Sequence, residues 1–173
     1  MAQRQFPRFD ETTAPAAARD ALAFSKRAFG ALPEPLARYA SSPVTLNAAL
    51  AGLEAFEKTT LAPLEREVLA MTMGRLNGCK FCLDLHGRLL KAHKAPPQLI
   101  SDLEAGQPLA EPRLEALRGF ILALLERTGD VSSLAWTNFR EAGYSHEQAL
   151  EVVTGISVYT LTTFANRLTQ TSE

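Results

Sequence analysis

The 173-residue sequence predicts an all-α protein, a single-domain helical bundle of about eight helices. Apolar residues recur at helical spacing along most of the chain, and no segment shows the alternation typical of a half-buried strand. Prolines and N-cap residues stand where these segments begin, and glycines or prolines stand where they end. The length suits one domain with one substantial core.

Five helices are predicted in the first part of the chain. The first is rich in alanine and stops at Gly30, a residue that commonly follows a helix C-terminus. Ser42 is a good N-cap, with Pro43 at the first helical position of the third helix. Pro63 opens the fourth, which ends at the turn signal Asn77-Gly78. The predicted ranges are 15–30, 33–40, 42–59, 63–76 and 79–94.

Further helical segments follow to the C-terminus. Two adjacent prolines, Pro96 and Pro97, prevent the fifth helix from continuing. Pro112 stands near the start of a long apolar segment, and Ser145 with Gln148 has the spacing of a capping box for the last one. The predicted ranges are 96–106, 111–129, 132–143 and 145–171.

Residues 1–13 are polar with scattered apolar positions and are interpreted as a flexible N-terminal arm, with residues 14–173 as the domain. The net charge is -1, without a block of lysines or arginines, so neither nucleic acid nor a membrane surface is expected as a partner. No stretch approaches the roughly 20 apolar residues of a membrane span, and the N-terminus lacks the apolar core of a signal peptide. A cytoplasmic location, where thiols stay reduced, is the simplest expectation.

Both cysteines and two of the three histidines lie in the stretch NGCKFCLDLHGRLLKAH. On a helical wheel the charged residues of this stretch gather on one side. The opposite arc, roughly 120° wide, contains Cys79, Cys82, Leu83, His86, Leu89, Leu90 and His93. We therefore expect the thiols and both imidazoles to face inward among leucines.

This arrangement favours thiol chemistry. His86 lies one turn after Cys82, and an imidazolium there would lower the pKa of the Cys82 thiol. Cys79 follows a turn and lies at the start of its helix, where unpaired N–H groups and the helix dipole favour a thiolate. Two thiols at this spacing can close into a disulfide with modest movement.

Four other interpretations of the C-x-x-C pair are a zinc site, haem attachment, a thioredoxin-type redox motif and inert packing. Zinc could take Cys79, Cys82 and His86 with His93 or His146, but three ligands from successive turns of one helix do not readily converge on a tetrahedral ion. Haem attachment needs a histidine directly after the second cysteine, where Leu83 stands. A thioredoxin fold needs βαβ units, which the all-α pattern does not provide. Inert packing of the two thiols in the core remains an alternative.

An all-α chain with the pattern E-x11-C-x2-C-x3-H resembles the alkylhydroperoxidase D group of the carboxymuconolactone decarboxylase superfamily. The matching residues are Glu67, Cys79, Cys82 and His86. The resemblance extends over about residues 35–170. It includes FREAGYSHEQALEVVTGISVYTLTTFANRL, which is similar to the closing helices of that group.

The resemblance implies an alkylhydroperoxidase D-like fold and a thiol-dependent hydroperoxide reductase that needs no bound cofactor or metal. Cys82 would be the peroxidatic thiol, Cys79 the resolving thiol, and Glu67 with His86 the proton relay. A small-molecule hydroperoxide would be the substrate, and an external dithiol, thioredoxin-like or lipoyl, the reductant. The group also implies a homo-oligomer, trimeric or hexameric, for which the apolar faces of residues 43–76 and 145–169 leave room.

Two positions depart from a simple reading of this pattern. Periodicity places Glu67 at the edge of its apolar stripe and would select Glu65 instead, so Glu67 is chosen by its spacing from Cys79. Some members of the group have a histidine or tyrosine directly before the second cysteine. Phe81 stands there and cannot transfer a proton, so we expect a weakened relay or an altered substrate preference.

Two other functions remain open at this stage. One is a non-enzymatic helical protein whose C-x-x-C pair senses redox state. The other is a carboxymuconolactone decarboxylase-type enzyme on the same fold, although the decarboxylase branch lacks the paired cysteines.

Overall fold

The computed structural model describes residues 6–169, and every regular element within them is an α-helix. This confirms the all-α prediction. The ends of the predicted arm and of the last predicted helix, residues 1–5 and 170–173, lie outside the described residues. Within residues 6–169 the helices are α1 Ala16–Phe29, α2 Glu34–Tyr39, α3 Pro43–Glu57, α4 Pro63–Leu76, α5 Lys80–Ala92, α6 Pro97–Ala105, α7 Pro112–Glu126, α8 Ser133–Glu141 and α9 His146–Leu168.

The predicted helix signals act at the expected positions. The Ser42 hydroxyl accepts the backbone N–H of Thr45 at 3.3 Å, and proline occupies an early position in α2, α3, α4, α6 and α7. Ser145 and Gln148 form the reciprocal capping box at the start of α9. Gly30 ends α1 in the left-handed region, at φ 74°, which glycine adopts without steric cost.

Helix α4 lies at the centre of the larger apolar core. It packs against α5, α6, α7 and α9, so every residue from Val68 to Gly74 is buried. A helix enclosed on all sides has no solvent-facing side, and this explains why α4 lacks a clear amphipathic stripe. Three polar residues of α4, Glu65, Glu67 and Thr72, are therefore held inside the protein.

Helix α9 joins the two apolar clusters of the protein. Val152 and Tyr159 belong to the larger cluster around α4, whereas Leu161 and Ala165 pack on the smaller one formed by α1, α2 and α3. Gly155 allows close packing, because a Cβ there would lie 2.5 Å from Cε2 of Phe56. Within residues 6–169 no helix, α9 included, is long and apolar enough to cross a membrane.

The described part of the predicted arm, residues 6–13, lies against α2. The backbone N–H of Phe9 donates to the carbonyl of Ala37 at 3.0 Å, and the Phe9 side chain packs on the smaller cluster. An ion pair between Arg8 and Glu34 adds a contact at 2.7 Å.

Candidate active site

The two cysteines lie at the turn between α4 and α5. Gly78 adopts φ 61°, and the chain then enters α5 with Cys79 as its N-cap. The Cys79 sulfur accepts the backbone N–H of Cys82 at 3.3 Å, so it takes up one of the unpaired amides at the helix start. The helix is shorter than the predicted 79–94, and Cys79 precedes it rather than lying in its first turn.

Cys79 and Cys82 are joined by a disulfide, with their Cα atoms 5.3 Å apart. Cys79 is fully buried and Cys82 is 3% exposed. The C-x-x-C pair thus forms the disulfide that its spacing allows, and Cys82 is slightly more exposed than Cys79.

Glu67 and His86 face each other across the contact between α4 and α5. The Glu67 Oε2 lies 2.8 Å from Nδ1 of His86, and both residues are buried. When the carboxylate is ionised, Nδ1–H donates a hydrogen bond to it, and Nε2 is left as the nitrogen that can exchange a proton. Since His86 is one helical turn after Cys82, the acid–base pair and the thiol pair share one side of α5.

Tyr159 of α9 covers this pair. Its ring packs edge-on against the His86 ring, with centroids 5.2 Å apart. Burial, and next the charge of Glu67, raise the pKa of the Tyr159 hydroxyl well above its ordinary range. The phenol thus stays neutral, and its ring covers one side of the His86 ring.

Helix α9 also fixes the turn that holds the cysteines. The Asn77 side-chain amide donates to the Thr163 hydroxyl at 2.8 Å, and the Arg167 guanidinium donates to the Asn77 carbonyl at 2.8 Å. One turn away, the Asn166 amide lies 3.3 Å from the Cys82 sulfur and 3.5 Å from the Cys79 sulfur. Sequence reasoning missed Tyr159 and Asn166. A polar amide at the end of the uncharged stretch 152–166 of α9 is the signal that could have found the latter.

Glu65, the carboxylate that periodicity favours, has a different environment. It is buried like Glu67, but its Oε2 accepts the backbone N–H of Ala62 at 2.7 Å and its Oε1 accepts Nε of Arg113 at 2.9 Å. Glu65 therefore caps α4 and pairs with α7. The spacing of the motif therefore selects the carboxylate that contacts His86.

The expectation that His93 faces inward with the thiols is wrong. Helix α5 ends at Ala92, so His93 is its C-cap and is exposed, as is Leu89. His146 lies elsewhere, with its ring 5.4 Å from that of Trp136. Across residues 6–169 no group of three or more His, Cys, Asp or Glu side chains could hold a metal ion. Phe81, in the first turn of α5, is half-buried.

Taken together, a disulfide-bonded cysteine pair lies one helical turn before a buried carboxylate–imidazole pair. The sulfurs can exchange electrons by forming or breaking one S–S bond, and the imidazole can accept or donate a proton. This combination suits a redox reaction in which a leaving group must be protonated.

Comparison with known proteins gives a family match over part of the chain. Residues 43–107, which include Glu67, Cys79, Cys82 and His86, match the carboxymuconolactone decarboxylase family. No curated protein matches the chain.

Solved structures share the fold at low sequence identity. An uncharacterised peroxidase-related protein from Ralstonia eutropha JMP134, described as an alkylhydroperoxidase AhpD core, is 20% identical, with a TM-score of 0.81 over 94% of this chain and 88% of that one. An uncharacterised peroxidase-related protein from Silicibacter sp. TM1040 is 20% identical, with a TM-score of 0.77 over 97% and 91%. A protein of unknown function from Agrobacterium tumefaciens is 18% identical, with a TM-score of 0.64 over 78% and 93%. The family match and the shared fold together confirm the resemblance of this chain to the alkylhydroperoxidase D-like group of the carboxymuconolactone decarboxylase superfamily.

Proposed function

We propose that this protein is a thiol-dependent hydroperoxide reductase in which the Cys79–Cys82 pair is oxidised by a hydroperoxide and reduced by an external dithiol. The observation that carries the proposal is the buried Glu67–His86 contact one helical turn from Cys82. A purely structural disulfide has no use for an adjacent acid–base pair. A hydroperoxide reductase needs one, because the departing oxygen must receive a proton.

The oxidative half begins with the Cys82 thiolate. Its sulfur attacks the terminal oxygen of ROOH, the O–O bond breaks, and one proton converts the departing RO⁻ to ROH, leaving Cys82 as a sulfenic acid. The thiolate of Cys79 then attacks the Cys82 sulfur. The S–S bond forms, and the departing hydroxide takes one proton to become water.

Glu67 and His86 supply and remove the protons in these steps. The imidazole accepts the thiol proton and returns it to the alkoxide, so that no net proton is consumed in forming the sulfenic acid and ROH from thiol and ROOH. The Glu67 carboxylate fixes the orientation of the ring through Nδ1 and stabilises the imidazolium that forms.

The reductive half is thiol–disulfide exchange. A thiolate of the external dithiol attacks Cys82, the more exposed sulfur, and Cys79 leaves as a thiolate that the backbone N–H of Cys82 stabilises. The second thiol of the reductant then resolves the mixed disulfide. Both cysteines return to the thiol form, and the reductant, thioredoxin-like or lipoyl in type, leaves as a disulfide.

A homo-oligomer, trimeric or hexameric, completes the proposal. From Val152 to Asn166 helix α9 has no charged residue, although part of this stretch faces outward. The exposed large apolar residues in this stretch are Val153 and Phe164, and Leu150 and Leu168 lie just beyond its two ends. An uncharged outward face on a long helix favours contact with another copy. Light scattering on the purified protein tests this, and a monomer at micromolar concentration would contradict it.

Single cysteine variants test the assigned roles. After full reduction, Cys79→Ser should still consume one equivalent of hydroperoxide and stop at a sulfenic acid on Cys82, detectable by mass spectrometry after trapping. Cys82→Ser should leave the hydroperoxide unconsumed. The reverse pattern would exchange the two roles, and inert thiols in both variants would refute the proposed function.

A further inference from the structure

Asn166 on α9 directs its side-chain amide at the two sulfurs. Its Nδ2 lies 3.3 Å from Sγ of Cys82 and 3.5 Å from Sγ of Cys79, and the residue is 3% exposed. An amide nitrogen carries two hydrogens, so one can be directed to each sulfur. A buried polar side chain is costly unless it has partners, and here the sulfurs are those partners.

The amide is held from its other side by α2. The hydroxyl of Tyr39, itself buried, contacts Oδ1 of Asn166 and lies 2.9 Å from the carbonyl oxygen of Thr162. With its oxygen fixed in this way, the amide presents its N–H groups to the cysteines. The orientation thus depends on three helices, because α2 and α9 fix the donor and α5 positions the acceptors.

The two sulfurs differ in their dependence on this amide. Cys79 also accepts the backbone N–H of Cys82, a donor that belongs to the helix start and survives any side-chain change. For Cys82, the Asn166 amide is the hydrogen-bond donor that the described residues supply. A thiolate at Cys82 is buried, and burial alone disfavours the charged form. The thiolate of Cys82 therefore depends on Asn166 more than that of Cys79 does.

We propose that Asn166 is a further catalytic residue of this site, whose amide donates a hydrogen bond to the Cys82 sulfur and stabilises its thiolate in the reduced protein. The proposal rests on the proposed function for its place in the reaction, since Cys82 is there the attacking thiol. A hydrogen bond to an ionised sulfur is stronger than one to a disulfide or thiol, so the amide favours the reactive form. It does so as a neutral group, without adding a positive charge to a buried site.

The test is a pH titration of single thiols in the reduced protein, followed by the ultraviolet absorbance of the thiolate and by the rate of alkylation with iodoacetamide. In a Cys79→Ser background, Asn166→Ala should raise the pKa of Cys82 and slow its alkylation at neutral pH by about tenfold, the loss expected for one hydrogen bond to a charged group. Asn166→Asp keeps the side-chain shape and places a carboxylate against the sulfur, so it should slow alkylation further.

The matched control uses a Cys82→Ser background, in which the Cys79 thiolate keeps its backbone donor and Asn166→Ala should have a smaller effect. Circular dichroism and thermal melting show that each variant is folded. The proposal is overturned if both Asn166 variants titrate like the parent in the Cys79→Ser background, or if the two backgrounds respond equally. Because titration and alkylation need neither hydroperoxide nor reductant, this result is independent of whether the protein proves to be a peroxidase.

Discussion

Replacing Glu67 by glutamine removes the negative charge beside Nδ1 of His86 while keeping the size of the side chain. The contact spans 2.8 Å between two buried residues, so solvent offers no substitute for the lost carboxylate. Glutamine can still form a neutral hydrogen bond to the ring. The change therefore tests the charge of Glu67 rather than the packing of α4 against α5.

The expected loss follows from the role of the pair. Proton transfer by a positioned side chain contributes about 10²- to 10⁴-fold to a rate. His86 remains in the Glu67→Gln variant, so we expect the lower end, a fall of about 100-fold in the rate at which hydroperoxide oxidises the reduced protein. The assay is rapid mixing of reduced protein with an alkyl hydroperoxide, followed by counting free thiols.

The chain offers a matched control two residues away. Glu65 is also a buried carboxylate on α4, but it accepts the backbone N–H of Ala62 at the start of the helix. It also pairs with Arg113, whose side chain is 39% exposed. Glu65→Gln should weaken the cap and lower stability by about 1 kcal/mol, and loss of the ion pair should add little because its Arg113 end is open to solvent. This corresponds to a melting temperature lower by about 2–4 °C, with thiol oxidation unchanged.

Either of two results would refute the proposed role of Glu67. If Glu67→Gln oxidises at the wild-type rate, the carboxylate has no part in proton transfer. If Glu65→Gln slows oxidation as much as Glu67→Gln does, the effect comes from a general disturbance of α4.

Further predictions concern packing, ionisation and the relay. In urea unfolding, Gly155→Ala should destabilise the protein by about 1–3 kcal/mol, because the new methyl group overlaps Phe56, and about 1 kcal/mol of helix propensity partly offsets this loss. Gly119→Ala, which has no atom within 4 Å of the new methyl group, should stabilise the protein. A gain in stability at both positions would contradict the packing described. Burial raises the pKa of all three tyrosines, so folding favours their neutral forms, and stability should be complete below about pH 10 and decline above it. Phenolate absorbance should then appear only together with alkaline unfolding, and a tyrosine titrating in the folded protein would be inconsistent with this. Phe81→His places an imidazole next to Cys82 and should speed thiol oxidation several-fold by general acid–base catalysis, and an unchanged rate would show that Phe81 leaves no gap in the relay.

The helices were predictable because the residues that start and end them lie next to one another in the sequence. Ser42 caps α3, and Ser145 caps α9 together with Gln148. The Asn77-Gly78 turn separates α4 from α5 as expected. The errors at α5 have local causes. The wheel predicts which side of α5 faces inward but not where the core ends, and Leu89 and His93, near the end of the helix, are both exposed.

The site was only partly predictable, since its contacts join distant parts of the chain. Periodicity favours Glu65, because on a helix that is buried on all sides it does not mark the carboxylate that contacts His86, and only the spacing from Cys79 singled out Glu67. Tyr159 and Asn166 reach the site because α9 packs across α4, a tertiary contact that no local pattern encodes. A buried polar residue can be noticed in a sequence, but its partner cannot be read from it.

The most direct test of the proposed function is turnover by the wild-type protein with an alkyl hydroperoxide and an excess of dithiol. We predict that many equivalents of hydroperoxide are consumed per chain, with Cys79 and Cys82 cycling between thiols and disulfide, and that Cys82→Ser abolishes the consumption. Oxidation of the pair that stops after one equivalent despite excess dithiol, or hydroperoxide that remains unconsumed, would contradict the proposal; the former outcome would favour a redox-sensing protein instead.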